Sequence, residues 1–254
     1  MASEKIRLDE LLLEKNLADR IEIARSMILA GSVLVNDRVE TKVGVSYPRE
    51  VSIRIRSKVK EYVSRGAYKL LGAFESFPKA TPRDKVCVDL GASTGGFTQV
   101  LLEKSAKKIL SVDVGYGQLI EKIRKDQRVI VLDRFHFKNL TWNHINEPPT
   151  DLFITADLSF ISIKSVFTLL SSLHSQAKDY EIEALLLVKP QFEVDSETLE
   201  KGILKDRRIA ISVLKSIIRY AIKETGAKFI GASDSKLEGM DGNREFFIYL
   251  KWVD

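Results

Sequence analysis

Val86-Cys87-Val88-Asp89-Leu90-Gly91-Ala92-Ser93-Thr94-Gly95-Gly96-Phe97-Thr98 is the stretch on which the reading of the chain turns. Five residues suited to a buried strand run into a glycine-rich turn, and the turn runs into an apolar helical stretch. Such a strand–turn–helix lets a ligand approach the backbone closely and offers it the free N–H groups of a helix start. The turn is not the dinucleotide fingerprint G-x-G-x-x-G, because Ser93 stands at the second glycine position. Nor is it a P-loop, since no Gly-Lys-Ser/Thr ending follows.

The next apolar run ends in Asp113, 22 residues beyond Gly91, where a carboxylate would accept hydrogen bonds from ribose hydroxyls. A ribose acid without a pyrophosphate fingerprint points to a nucleoside-type cofactor rather than NAD. S-adenosylmethionine fits, with Asp89 at the strand tip facing its amino group. The alternative is an unliganded or nucleotide-binding turn. Asp133, closing a third apolar run, reads either as an adenine or ribose neighbour or as a plain strand-end turn residue.

Outward from this stretch the pattern repeats. Apolar runs at 109–114, 129–132, 152–156, 184–188, 229–232 and 246–250 are separated by helical stretches. Strands alternating with helices, each strand apolar nearly throughout, imply a mostly parallel sheet covered on both faces. Only turn formers at 239–243 separate the last two strands, so these should pair antiparallel as a closing hairpin. The fold class expected is α/β, a Rossmann-like, mostly parallel sheet with an antiparallel last strand, plus a small N-terminal α+β domain. Upstream, Ser64-Arg65-Gly66 reads as a break before an amphipathic helix over 67–77 that Pro78 and Pro82 end.

Residues 1–57 read as a compact helix–helix–hairpin unit. Leu8, Leu11 and Leu12 form a helical stripe, and Asp19 could cap a second helix through Ile21, Ala24, Ile28 and Leu29, which Gly31 stops. Val33–Val35 runs into the Asn36-Asp37 turn, and 51–55 alternates as a half-buried strand. Residues 1–60 carry 12 Lys+Arg against 9 Asp+Glu, a surplus of +3; the other 194 residues carry 28 and 26. That basic balance is compatible with a polyanionic partner, most simply nucleic acid. Arg20, Arg25, Arg38, Arg54 and Arg56 lie on or beside this unit, where a solvated face is the plain alternative.

Several function classes drop out on composition. No apolar run approaches the 18 or more residues of a membrane-spanning helix. The opening MASEKIRLDE lacks a signal-type apolar region, so a cytoplasmic protein is expected. One cysteine, Cys87, excludes an intrachain disulfide or a Cys-cluster zinc site, and His136, His144 and His174 share no ligand spacing, so no metal is expected.

Charges stand at further strand ends where a packed sheet would not choose them: Asp157 after 152–156, Lys189 after 184–188, and Glu245 before 246–250, with Lys69 on the leading helix. Taken with these, the ordered segments Ser64-Arg65-Gly66-Ala67-Tyr68-Lys69-Leu70, Asp89–Thr98, Asp113–Leu119, Ala156–Ser162, Val188–Glu193 and Gly242–Phe246 resemble the TlyA family. These are haemolysin-A-like rRNA 2′-O-methyltransferases, whose N-terminal piece is an alpha-L RNA-binding domain. The resemblance covers nearly the whole chain. It implies an alpha-L domain over 1–59, a linker and leading helix over 60–84, and an FtsJ-like methyltransferase domain over 85–254.

The resemblance further implies that Lys69, Asp157, Lys189 and Glu245 form the catalytic Lys-Asp-Lys-Glu tetrad. Gly91, Ser93, Thr94, Gly95, Gly96, Phe97 and Asp113 match its S-adenosylmethionine contacts, with Asp89, Asp133 and Asp157 beside them. Arg7, Arg20, Arg25, Arg38 and Arg65 are the implied RNA contacts. The substrate implied is a cytidine of ribosomal RNA within ribosomal subunits. The chain's end at Asp254, without the tail of longer members, favours 23S over 16S rRNA. The stretch 191–202 departs from the family pattern in lacking its glycines.

The chemistry agrees with these residue types. A ribose 2′-hydroxyl is a poor nucleophile at neutral pH, so in-line positioning and help for the departing proton are needed. Lys189 is expected to have its pKa lowered by desolvation and by Lys69, and to accept the proton or stabilise the alkoxide as a cation. Asp157 would orient Lys189, and Glu245 with Lys69 would fix the ribose. A target base must leave its stack to enter such a pocket, with Tyr116 or Phe160 as stacking candidates. Two other classes are a non-catalytic ribosome assembly factor and a membrane-active haemolysin; no basic amphipathic helix of membrane type supports the latter.

Overall fold

The computed structural model describes residues 5–29, 31–55, 62–145, 150–239 and 242–253. The opening residues 1–4, Arg56 and the linker residues 58–61 lie outside the described residues. The chain divides into two units, Met1–Glu61 and Tyr62–Asp254.

The first unit runs β1 (Lys5–Arg7), α1 (Leu8–Glu14), α2 (Ile21–Leu29), β2 (Val33–Val35), β3 (Arg38–Glu40), β4 (Ser46–Pro48) and β5 (Ile53–Ile55). Leu8, Leu11 and Leu12 meet Ala24, Ile28, Val33, Val35 and Val51 in one buried cluster. Asn36 and Asp37 both take left-handed φ, 48° and 61°, the backbone a two-residue hairpin turn requires. β2 pairs antiparallel with both β3 and β5, while β1 pairs with β4. Two expectations shift. The Ala24 N–H bonds the Arg20 carbonyl, so Arg20 holds the cap position before α2 and Asp19 stands one position too early. The hairpin is larger than expected, since β1, β3 and β4 are too short for periodicity to reveal.

The second unit opens with α3 (Arg65–Ser76), followed by β6 (Val86–Leu90), α4 (Gly96–Glu103), β7 (Lys108–Val112), α5 (Glu121–Arg124), β8 (Val129–Leu132) and α6 (Trp142–Ile145). It continues with β9 (Leu152–Ala156), α7 (Lys164–Ser175), β10 (Ile182–Val188), α8 (Arg207–Thr225), β11 (Lys228–Asp234) and β12 (Phe246–Trp252). One seven-stranded sheet has the order β11-β12-β10-β9-β6-β7-β8. β8, β7, β6, β9 and β10 are parallel, and β12 is antiparallel to both β10 and β11. The expected α/β sheet with its closing hairpin is therefore the observed one.

Alternate strand residues point to opposite faces. Val86, Val88 and Leu90 join the layer of α7 and α8, whereas Cys87, Phe153, Leu185 and Leu187 join the layer of α3 and α4. Ser64-Arg65-Gly66 is not a break: α3 starts at Arg65, with Ser64 as its N-terminal cap position. At Gly96 a Cβ would sit 2.1 Å from Ser64 Oγ and 3.0 Å from Ala67 N, so this glycine lets the starts of α3 and α4 touch.

Candidate active site

Sheet register alone gathers the charged strand ends. Leu90 lies opposite Ala156, so Gly91 and Asp157 leave the sheet side by side, and the Asp157 N–H bonds the Leu90 carbonyl at 3.0 Å. Val188 lies opposite Phe246 in the antiparallel pair, which sets Lys189 and Glu245 together at the same edge. α3 then delivers Lys69 from above: its Nζ is 2.5 Å from Glu245 Oε2, and both side chains are buried. Lys189 Nζ is 2.7 Å from Asp157 Oδ1 and donates to Ser159 Oγ at 3.0 Å.

The two lysine–carboxylate pairs form one electrostatic group. Burial pushes the Glu245 carboxyl above its ordinary range; the hydrogen bond and charge of Lys69 oppose this, Lys189 adds to that opposition, and Asp157 works against it. All four side chains line one cavity of about 490 Å³, together with Gly91, Ala92, Ser93, Thr94, Gly96 and Phe97 of the glycine turn.

That turn is built for close approach. Gly91 has φ +79° and its Cβ would lie 2.6 Å from the Asp157 carbonyl oxygen, while Gly95 has φ +100°. Both positions exclude larger residues, and the bare backbone between them faces the cavity, which fits a cofactor lying along the turn. Asp113 accepts one backbone N–H on each oxygen, from Ser93 at 2.8 Å and Gly115 at 2.7 Å. Each carboxylate oxygen keeps a second lone pair for a ribose hydroxyl. Asp113 is not among the cavity's lining residues, nor is Asp133, which pairs with Arg124 Nη2 at 2.6 Å and accepts the Gly117 N–H.

Asp89 requires a correction. Its side chain is fully buried and points to the α4 face, as the parity of β6 with Cys87 dictates, so it does not face a cofactor amino group. Its oxygens accept from Thr98 Oγ1 at 2.7 Å and Thr155 Oγ1 at 3.1 Å, tying the first turn of α4 to β9. Burial raises its carboxyl to about 7 against the two threonine hydrogen bonds.

Of the two stacking candidates, Phe160 lines the cavity and Tyr116 does not. The Phe160 ring is 90% exposed, its φ is +64°, and it packs on Phe192 with centroids 5.0 Å apart. A bulky residue held in the left-handed region with its ring in water is a strained arrangement, of the kind that clusters at ligand sites. Tyr116 lies instead under the guanidinium of Arg134.

Among the expected RNA contacts, Arg65 lines the cavity beside Glu238. Arg20 and Arg38 are exposed on the first unit. Arg7 and Arg25 share the buried Asp9: Arg7 donates through Nε at 3.1 Å and Nη2 at 2.9 Å, and Arg25 through Nε at 2.9 Å. The hydrogen bonds from Arg7 hold the Asp9 carboxyl down at about 2, with Arg25 adding to them. Both guanidinium groups stay about half exposed.

Ser159, Gln191, Phe192, Gly239 and Asn243 also line the cavity, although no pattern in the sequence assigns them a role. Asn243 accepts from the Leu204 N–H and donates to the Gly202 carbonyl, fastening the 202–204 loop beside Glu245. Glu193 accepts from Ser162 Oγ and the Ile163 N–H, both at 2.7 Å, and so ties the loop after β10 to the loop after β9. Among the described residues no group of three or more His, Cys, Asp or Glu is placed to hold a metal ion.

Residues 62–252 match the family model of the FtsJ-like methyltransferases. The chain is 36% identical over 251 residues to the 16S/23S rRNA (cytidine-2′-O)-methyltransferase TlyA of Mycobacterium tuberculosis, covering 98% of this chain and 91% of that protein. It is 33% identical over 246 residues to Hemolysin A of Brachyspira hyodysenteriae, covering 96% and 99%. A solved structure from Streptococcus thermophilus, described as a candidate hemolysin, aligns with a TM-score of 0.69 at 32% identity and covers 100% of this chain and 90% of that one.

Proposed function

The chain belongs to the FtsJ-like methyltransferase family, in the group of the TlyA and hemolysin A proteins, and on that premise we propose that it methylates the ribose 2′-hydroxyl of a cytidine in ribosomal RNA. The methyl donor is S-adenosylmethionine, which when bound supplies an electrophilic methyl on a sulfonium. One observation carries the reading: two lysine–carboxylate pairs converge in a cavity walled by the glycine turn.

In this reading the chain's own groups handle the nucleophile. Lys189, held by Asp157 and Ser159, faces the 2′-oxygen, steers a lone pair toward the cofactor and as a cation stabilises the negative charge that grows there as the hydroxyl proton passes to solvent water. Lys69 and Glu245, locked together out of solvent, hold the sugar's other polar edge. Holding reactants in line in this way contributes on the order of 7–11 kcal/mol in well-oriented systems. Phe160, with Phe192 behind it, takes the unstacked base on its open face.

The first unit supplies RNA affinity through the exposed faces of Arg7, Arg20, Arg25 and Arg38, with Arg65 at the cavity itself. Phosphate contacts of this kind weaken as salt rises. Needing the 2′-hydroxyl as nucleophile selects RNA over DNA. In the described residues no helix is long and apolar enough to cross a membrane.

The test is transfer of labelled methyl from S-adenosylmethionine to ribosomal subunits prepared from cells lacking this protein, large and small subunits separately. Wild-type protein is expected to label one of them at a ribose. Lys189→Ala is expected to lower turnover by 10²-fold or more while cofactor affinity stays within about twofold. Undiminished turnover in Lys189→Ala refutes the assigned role, and unlabelled subunits with intact RNA binding favour a non-catalytic assembly factor.

A further inference from the structure

We propose that Gln191 reads the target base, its side-chain carbonyl accepting a hydrogen bond from the exocyclic amine of cytosine. This rests on the methyl-transfer reading above and adds to it the group that selects the nucleotide.

Gln191 is nine-tenths buried and lines the cavity, yet its Oε1 has no hydrogen-bond partner among the described residues. Buried acceptors are nearly always satisfied, and one that is not carries a standing cost that an incoming donor relieves. Around it Lys69 is paired with Glu245, Lys189 with Asp157 and Ser159, and Asn243 bonds two backbone groups. Gln191 is the neutral side chain of the cavity whose acceptor is both buried and without a partner among the described residues.

Its place in the fold separates it from the cofactor. The glycine turn leaves β6 and Asp157 leaves β9, whereas Gln191 sits two residues past Lys189 in the short 3-10 turn Pro190–Phe192 beyond β10, one strand farther out. The next residue, Phe192, backs the exposed Phe160 ring. A base stacked on Phe160 therefore presents its edge to the turn that carries Gln191.

The donor chemistry then chooses the base. Cytosine offers an amine donor beside the N3 acceptor, and a carboxamide matches both, its carbonyl to the amine and its NH2 to N3. Uracil presents the reverse pair, an O4 acceptor beside an N3–H donor, so in the amide orientation that offers Oε1 to the amine two acceptors would face each other.

The experiment uses full-length protein and ribosomal subunits lacking the modification, carrying either cytidine or uridine at the mapped target position. Wild type is expected to prefer cytidine by tenfold or more in kcat/KM. Gln191→Met, close in shape and without the carbonyl, is expected to lose about tenfold on cytidine and little on uridine, so that the preference falls toward unity. Its affinity for S-adenosylmethionine should not move. Gln191→Glu, which keeps an acceptor, is expected to retain a preference for cytidine, and it decides the matter if Gln191→Met does not fold. An unchanged cytidine-to-uridine ratio in Gln191→Met, a lost preference in Gln191→Glu, or a fall in cofactor affinity in either variant overturns the assignment of Gln191 alone. Absence of methyl transfer by wild type overturns this inference together with the reading it rests on.

Discussion

Replacing Asp89 by asparagine should make the protein more stable relative to wild type as the pH rises. Asp89 is fully buried beneath the glycine turn, and its carboxyl is raised to about 7. An unfolded aspartate titrates near 4. Between those values the unfolded chain has released this proton and the folded chain still holds it, so the folded state binds more protons and stability falls with rising pH. At 1.36 kcal/mol per unit, a separation of about 3 units bounds the cost at roughly 4 kcal/mol above pH 7. More than half of that, about 2–3 kcal/mol, accrues between pH 5 and 8. The substituted carboxamide cannot ionise and keeps one acceptor for a threonine hydroxyl, so the free-energy difference between variant and wild type should move by this amount in the variant's favour across that window. Urea unfolding followed by tryptophan fluorescence suits the test, because the two tryptophans, Trp142 and Trp252, both lie in the second unit and report on it. Equal differences at pH 5 and pH 8 would show that Asp89 is ionised in the folded protein throughout, and the account of its burial would be wrong.

The first unit should show the opposite sign. Asp9 is held at about 2 by Arg7 and Arg25, so its contribution, roughly 2 kcal/mol, is present above pH 4 and lost as the pH falls from 4 to 2. Asp9→Asn should lower hydrogen-exchange protection in α1 by about that amount at pH 7 and weaken RNA binding measured at fixed salt; unchanged values for both would show that the two arginines need no common anchor. At the cavity mouth, Phe160→Ala should raise KM for the RNA about tenfold, in line with about 1–3 kcal/mol for one base stacked on an aromatic ring. Cofactor affinity measured by calorimetry should stay fixed, and a fall there would place Phe160 with the cofactor instead.

The sheet and the residue types of its chemistry are legible in the order of the amino acids. Period-two and near-continuous apolar runs survive in any context because burying them is the largest favourable term in folding, so β6, β9, β10 and the closing hairpin can all be read from the chain. So can the charges at their ends, since a carboxylate or lysine after a buried run has no packing reason to be there. What each side chain faces is settled only by the folded arrangement. Strand parity turns Asp89 inward, although its place at a strand tip suggests the cofactor. Contact between the starts of α3 and α4 makes Gly96 a packing glycine and sets Ser64 at the helix cap, where the local sequence reads as a break. Gln191 and Phe192 look like loop residues until register places their turn beside Lys189. Such facts depend on which distant backbone lies opposite, and no local pattern of apolar and polar residues encodes that pairing.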